Sequence, residues 1–381
     1  MRIAYEASSI RPRLSGVGHY TASLLQAFCH DFPNERVMIL SHLRQPIPPR
    51  GNLIATQKRS FPIKEIWMQL WVPHIVKRYC PDICHFTNSI APLHMETPYV
   101  VTVHDLSLIK HPEWHPRSRR LWMARILRPA IARSSGVLCD SNATRDDLTS
   151  WMQVDRSRVW VVPLAARKSF FIPRSPKDKE AVMARYGLTR PFLLFVGNLE
   201  PRKNLSRLIR AFRMLNPPGI DLVLAGRRAW LWKEILREAQ HPKSVERVHL
   251  LNYVNEDDLP VLYQAALAFV YPSLMEGFGL PVLEAMASAT PVVVSKVEPL
   301  ASMVGEAGWL VHPEDIDDWQ SALSELIANC DKRKTLAAAG RIRATGYGWD
   351  RVARETMTCY ENVLSRANQP VGLHLRQELV H

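Results

Sequence analysis

Short apolar runs alternate with amphipathic stretches twice along this 381-residue chain, and a proline-rich break separates the two series. "RIAYEA", "RVMIL", "DICHF", "YVVTVHD", "GVLCDS" and "RVWVV" read as strands, with helical patterns at about 18–29, 64–79, 118–134 and 142–151. The runs lack strict polar alternation, which suits strands buried on both faces. Strands separated by helices in this way predict a parallel sheet covered by helices. The pattern pauses at "PLAARKSFFIPRSPKDKE", where Pro163, Pro173, Pro176 and a charged run mark a linker. It resumes in "PFLLFVG", "IDLVLAG", "RVHLLN", "LAFVYPS", "TPVVVS" and "GWLVH". The chain therefore reads as α/β, with two Rossmann-like, doubly wound domains over residues 1–165 and 181–346. Residues 166–180 join them, and residues 347–381 carry a closing helix that starts near Trp349 and Asp350. Such sheets bind ligands beyond the carboxyl ends of their strands, so two of them facing each other predict a site in the crevice between.

Composition narrows the class. Hydrophobic residues make up 47% and charged residues 22%, enough for two packed cores. No run reaches the ~18 apolar residues of a spanning helix, and "MRIAYEASSI" reads as a strand, so a cytoplasmic chain is expected. The six cysteines form no C-x-x-C pair. "CPDICHF", with Cys80, Cys84 and His85, reads as a turn into a buried strand rather than as a zinc site. The net charge of +13 is uneven: residues 1–170 hold 23 Lys and Arg against 12 Asp and Glu, and the remainder 26 against 24. A one-sided basic half points to a polyanionic partner, either nucleic acid, anionic lipid or a phosphorylated substrate.

The chemistry concentrates at strand ends. In "EGFGLPVLEA", Glu276 precedes a glycine loop and Glu284 falls about one turn inside the helix that follows, with Pro281 suited to the first helical position. Gly277 and Gly279 let the backbone approach a ligand, and the helix N-terminus behind them favours an anion. The two glutamates do not share a helical face, so they bracket a ligand rather than act as an acid/base pair. Alternatively, Glu284 only answers the helix dipole and Glu276 is solvated. In "FVGNLEPRKNLSRLI", a strand ends at Gly197, and Arg202 and Lys203 follow at the same sheet edge, a placement suited to a diphosphate. The loop "RPRLSGVGHYTASLL" sets Gly16 and Gly18 at a helix start with Ser15 as cap, but it is not G-x-G-x-x-G. "YVVTVHDLS" ends a buried strand with the polar pair His104 and Asp105, either structural or facing the crevice.

Taken in order, these pieces resemble the retaining glycosyltransferases of family 4, over nearly the whole chain. The resemblance rests on the glutamate–seven residues–glutamate motif from Glu276 to Glu284. It is supported by "GVGHY", "VHD", "GNLEPRKN", the run near 307–315 and the closing helix "YGWDRVARETMTCY". It implies a GT-B fold, with two facing Rossmann-like domains and a last helix that returns to the first. It implies that Glu284 holds the ribose of a sugar nucleotide. Glu276 and the amides of Gly277, Phe278 and Gly279, with Leu280 behind them, would hold the sugar. Arg202 and Lys203 would stabilise the departing diphosphate, and Gly16 and Gly18 would approach it from the other domain. His104 would lie over the reacting sugar, and Tyr253 and Val254 would meet the base. Many relatives have arginine where this chain has Asn198, so the diphosphate falls more heavily on Arg202 and Lys203.

The resemblance also implies that no metal or cofactor is needed beyond the co-substrate. Its wording is nearest to bacterial mannosyl- or rhamnosyl-type enzymes of surface polysaccharide and O-antigen assembly, which favours GDP-mannose over UDP- or dTDP-sugars. The acceptor, a glycan or a polyprenyl-diphosphate-linked glycan, belongs to the basic first domain. "KEIWMQLWVPHIVKRY" and "HPRSRRLWMARILRPAIAR" mix Trp67, Trp71 and Trp122 with basic residues. They read either as an anionic membrane surface contact at the inner face of the membrane or as ordinary core tryptophans. A nucleotide-sugar epimerase shares the architecture and is the nearest rival. A non-catalytic nucleic-acid- or membrane-binding protein would explain the charge but not the glutamate loop, and no nucleic-acid-binding motif is present.

Overall fold

The computed structural model describes residues 1–43, 52–55 and 60–367. Seven parallel strands form the first sheet: β1 (Arg2–Glu6), β2 (Arg36–Leu40), β3 (Leu53–Ala55), β4 (Ile83–Phe86), β5 (Tyr99–Val103), β6 (Gly136–Cys139) and β7 (Val159–Val161). Their spatial order is β3-β2-β1-β4-β5-β6-β7. Six more form the second: β8 (Phe192–Val196), β9 (Asp221–Ala225), β10 (Val248–Asn252), β11 (Ala268–Tyr271), β12 (Val292–Ser295) and β13 (Trp309–Val311), ordered β10-β9-β8-β11-β12-β13. All pairings are parallel, in register such as Phe192 to Asp221 and Phe269 to Val292. In each sheet the order reverses once, between β1 and β4 and between β8 and β11, which is where such sheets open a ligand crevice.

The strands are buried as their apolar runs predict, with every residue of β5 and β9 inside. β3 was not expected: three residues at a sheet edge are too few to show a period. The helices around the two sheets include α1 (Gly16–Asp31), α2 (Lys64–Tyr79), α3 (Arg117–Arg133), α4 (Leu205–Leu215), α5 (Leu280–Ala287) and α6 (Trp349–Ala367). Ser15 caps α1 by accepting from the Gly18 amide. Helix α5 begins at Leu280, so Pro281 is its second residue and not its first. Trp67 is fully buried under α2, whereas Trp71 on the same helix is 43% exposed, so the core reading holds for the first and not the second. The side chain of Trp122 lies outside the described residues.

Helix α6 follows the second sheet in sequence yet packs on α1 of the first domain. Its buried face of Val352, Thr356, Met357, Tyr360 and Val363 covers that core. At its centre the Tyr360 hydroxyl meets Nδ1 of His85 at 2.6 Å, and Nε2 of His85 meets Oγ1 of Thr102 at 2.7 Å. Burial holds His85 neutral, with its pKa lowered to about 3. Tyr360→Phe leaves a buried imidazole nitrogen without its hydrogen-bond partner, and is expected to lower the unfolding free energy by about 1–3 kcal/mol. Urea denaturation measures this, and an unchanged midpoint would show that the bond contributes nothing.

Candidate functional site

The loops after β8 and β11 meet at the second sheet's switch point and build the floor of a crevice of about 290 Å³. The first loop passes Gly197 and Asn198 into a short turn at Pro201–Lys203, then enters α4. The second runs from the end of β11 through Glu276 into α5. Here three predicted residues converge. Arg202 Nη1 donates to Oε2 of Glu276 at 2.8 Å, and Lys203 Nζ to Oε1 at 2.5 Å. Arg202 also pairs with Glu200 at 2.9 Å, and Lys203 donates to the Tyr271 hydroxyl at 2.6 Å. Glu276 is 8% and Lys203 5% exposed, so these charges survive only as a matched set. Burial alone would raise the Glu276 pKa, but Arg202 and Lys203 outweigh it and hold the carboxyl below its usual range.

The glycine loop lies against the opposite domain. A side chain at Gly277 would place its Cβ 1.7 Å from the His104 carbonyl oxygen, so only glycine permits this approach. Gly279 caps α5 with φ of 103°, in the left-handed region that glycine tolerates. Phe278 and Leu280 complete this wall. Glu284 sits one turn into α5, 5% exposed, with the Tyr263 hydroxyl donating to it at 3.4 Å. Burial raises its pKa, partly offset by the nearby charges of His19 and Arg167. A carboxylate so placed can accept hydrogen bonds from a diol.

His104 reaches the crevice from the end of β5. Its Nδ1 meets Asp140 Oδ2 at 2.6 Å and its Nε2 meets the Thr87 carbonyl at 2.9 Å. A carbonyl only accepts, so Nε2 carries a proton and the carboxylate draws a second onto Nδ1. Burial works against the charge, but Asp140 prevails and the His104 pKa is raised.

Tyr253, Val254, Asn198 and Gly16 also line the crevice. Gly18 does not: a Cβ there would lie 2.7 Å from the Ser9 carbonyl, so this glycine serves local packing rather than the crevice. The sequence reading missed several neighbours. His19 Nε2 meets Glu256 Oε1 at 3.1 Å, and Arg167 Nη1 meets Oε2 at 2.6 Å. These join the first domain, the linker and the second domain at one carboxylate. Their separation in sequence gave no signal, whereas Asp140 stood at a strand's carboxyl end and was legible in principle. Among the described residues no group of three His, Cys, Asp or Glu side chains is placed to hold a metal ion.

The His104–Asp140 pair has a pH signature. A histidine whose folded pKa is raised stabilises fully below its unfolded value of about 6.5, and the gain is lost as pH rises through the folded value. Unfolding free energy is therefore expected to fall with rising pH above about 6.5, and Asp140→Asn to flatten that slope. Urea titrations between pH 6 and 9 check both.

Comparison with known proteins places this geometry. Residues 14–166 match the family described as Glycosyltransferase Family 4, and residues 178–343 the one described as Glycosyl transferases group 1. O-antigen chain mannosyltransferase B of Escherichia coli is 30% identical over 388 residues, covering 95% of this chain and 100% of that one. The structure is similar to sucrose-phosphate synthase from Thermosynechococcus elongatus, with TM-score 0.78 and 20% identity over 96% of this chain and 100% of that one. It is also similar to Anabaena HepE in complex with UDP-glucose, with TM-score 0.71 and 20% identity over 96% of this chain and 100% of that one. At that identity the two structures bear on the fold alone. The whole-length relative and the matched halves together show that the chain belongs to glycosyltransferase family 4, with the family's GT-B fold.

Proposed function

We propose that the protein transfers a hexose, with retention of configuration, from a nucleoside-diphosphate sugar to a glycan or polyprenyl-diphosphate-linked glycan of a cell-surface polysaccharide. The observation that carries this reading is the convergence of Arg202, Lys203 and Glu276 beneath the glycine loop, one helical turn from Glu284. The ribose diol fits Glu284. The sugar fits Glu276 and the amides of Gly277, Phe278 and Gly279, and Asn198 and Gly16, which line the same crevice, are assigned to the diphosphate. Val254 and Tyr253 stand where a base would lie beyond the ribose.

As the C1–phosphate bond breaks, negative charge grows on the leaving diphosphate. Arg202 and Lys203, already fixed by Glu276, stabilise that charge without reorganising. Two fixed cations supply what a divalent ion would otherwise supply, so activity is metal-independent in this reading. The acceptor hydroxyl attacks the face the diphosphate leaves, and its proton passes to a phosphate oxygen. Closure of the crevice keeps water from taking the acceptor's place.

The donor favoured is GDP-mannose. Its support is the name of the Escherichia coli relative, an O-antigen chain mannosyltransferase. A calorimetric screen of GDP-mannose, UDP-glucose, UDP-GlcNAc, UDP-galactose and dTDP-rhamnose in EDTA tests donor and metal together. GDP-mannose is expected to bind, and Glu284→Ala to weaken it by about 10- to 100-fold, the loss of one charged hydrogen-bond set. Binding of none of them, or equal binding by the variant, would sink the assignment.

The reading extends to the membrane. No helix among the described residues is long and apolar enough to cross one. On α2 and its approach, however, Ile63, Ile66, Leu70 and Trp71 are 43–54% exposed, and Lys77 and Arg78 are exposed further along the same helix. Apolar and basic groups on one helix suit the surface of an anionic bilayer where a lipid-linked acceptor would lie. The protein is expected to sediment with phosphatidylglycerol vesicles and not with phosphatidylcholine vesicles, and Leu70→Asp with Trp71→Asp to abolish this. Equal recovery with both lipids would remove the membrane from the reading.

A further inference from the structure

The turn after β5 carries a carboxylate that the donor contacts leave without a role. Asp105 lines the crevice from the first domain, on the wall facing Arg202. Its Oδ1 accepts from the Ser107 amide at 2.9 Å and from the Ser107 hydroxyl at 2.7 Å. That hydroxyl in turn meets Nε2 of His115 at 3.1 Å, in a buried contact. Three linked bonds therefore fix the carboxylate's orientation before any ligand arrives. Oδ2 has no recorded partner among the described residues, and Asp105 is only partly buried. A Cβ built on Gly277 would come within 3.2 Å of the Asp105 Cβ, so the carboxylate stands directly beside the loop assigned to the donor sugar.

The other polar groups at this end of the crevice are committed. Both oxygens of Glu276 are held by Arg202 and Lys203, and both ring nitrogens of His104 by Asp140 and Thr87. We propose that Asp105 is a catalytic residue on the acceptor side, whose Oδ2 accepts a hydrogen bond from the attacking hydroxyl and aims its oxygen at the donor carbon. This role rests on the sugar-transfer reading above. Burial pushes the Asp105 pKa up, but Arg202 and the two bonds from Ser107 outweigh it and hold the carboxyl below its usual range. So low a basicity suits aiming rather than proton removal. In the step, the bond from C1 to the acceptor oxygen forms as the bond from C1 to the phosphate oxygen breaks. The acceptor's proton ends on that phosphate oxygen, and Asp105 remains a carboxylate throughout.

Water can occupy the same position as an acceptor hydroxyl, so hydrolysis of the donor tests the role without knowledge of the acceptor. The probe is GDP-mannose, or whichever nucleotide sugar the wild type binds in the screen above. Affinity is measured by calorimetry and turnover by release of labelled sugar overnight. Asp105→Asn keeps the size of the side chain and offers its own carbonyl to Ser107, turning an amide toward the crevice. Its donor Kd is expected to stay within about twofold of wild type while kcat falls about 100-fold, the usual loss from a misaimed reactant. Ser107→Ala, which keeps the amide bond to Oδ1 but removes the hydroxyl's bonds to Asp105 and His115 and so loosens the carboxylate, is expected to lose about 10-fold in kcat with Kd again unchanged. Donor affinity and turnover falling together in Asp105→Asn would make it a structural residue and overturn the proposal. So would unchanged turnover, or a wild type that binds donor and never hydrolyses it. A wild type that binds no nucleotide sugar would remove the functional reading itself, and this role with it.

Discussion

A buried carboxylate between two buried cations organises this structure. Arg202 and Lys203 come from one loop and Glu276 from another, and none could be left alone at that depth: removing one partner of a buried pair strands the other at a cost of roughly 3–5 kcal/mol. The arrangement depends on strand order. Because β8 and β11 are neighbours in the sheet though 71 residues separate Val196 from Ala268, their carboxyl-end loops emerge side by side. Tyr271, the last residue of β11, then places its hydroxyl within reach of Lys203. The parallel sheet, the short turn at Pro201–Lys203 and the glycine loop are thus conditions of one electrostatic cluster, and each is needed for the cluster to exist without unpaired charge.

The second requirement is that two rigid sheets meet closely enough to make a crevice. Polar contacts cross between them. Thr144 donates to the Gly277 carbonyl at 3.2 Å, the Trp230 indole to the Trp114 carbonyl at 2.6 Å, and Arg227 to the Arg13 carbonyl at 3.1 Å. Polar contacts of this kind exchange readily with water, unlike a continuous apolar interface, and suit domains that move relative to each other. Helix α6 differs: it returns to the first domain with a mostly apolar buried face and a buried Tyr360–His85 bond, and so ties the end of the second domain to the first.

Much of this was legible in the sequence, for physical reasons. Parallel strands buried on both faces appear as unbroken apolar runs, so twelve of thirteen were visible and only the three-residue β3 was not. Glu276, Arg202 and Lys203 were legible as a set because each stands at a strand's carboxyl end, where topology rather than local pattern determines proximity. Partners contributed by distant elements were not. Tyr360 and His85 lie 275 residues apart, and His19 and Glu256 belong to different domains. The loop "GVG" misled in one position: its two glycines look equivalent as letters, yet Gly16 opens on the crevice and Gly18 is filled by the Ser9 carbonyl. Tryptophan was ambiguous for a related reason, since Trp67 and Trp71 sit four residues apart on one helix with one buried and one exposed.

The charges at the crevice also correct an inference that composition invites. The first half of the chain holds most of the positive excess, yet the cations at the crevice floor are matched by carboxylates: Arg202 and Lys203 stand against Glu200, Glu276 and Asp105, and His104 against Asp140. At that floor the cations are paired rather than bare. What would attract a diphosphate is direction: guanidinium and ammonium donors held in place by carboxylates on one side, and the N-terminus of α5 on the other. Fixed donors of this kind respond to charge that develops during reaction more than to charge already present, because their orientation costs nothing at that moment. A bare basic patch would bind the diphosphate of substrate and product alike and slow its release. The positive excess of the first half of the chain therefore does not come from the paired cations Arg202 and Lys203, which lie in the second domain.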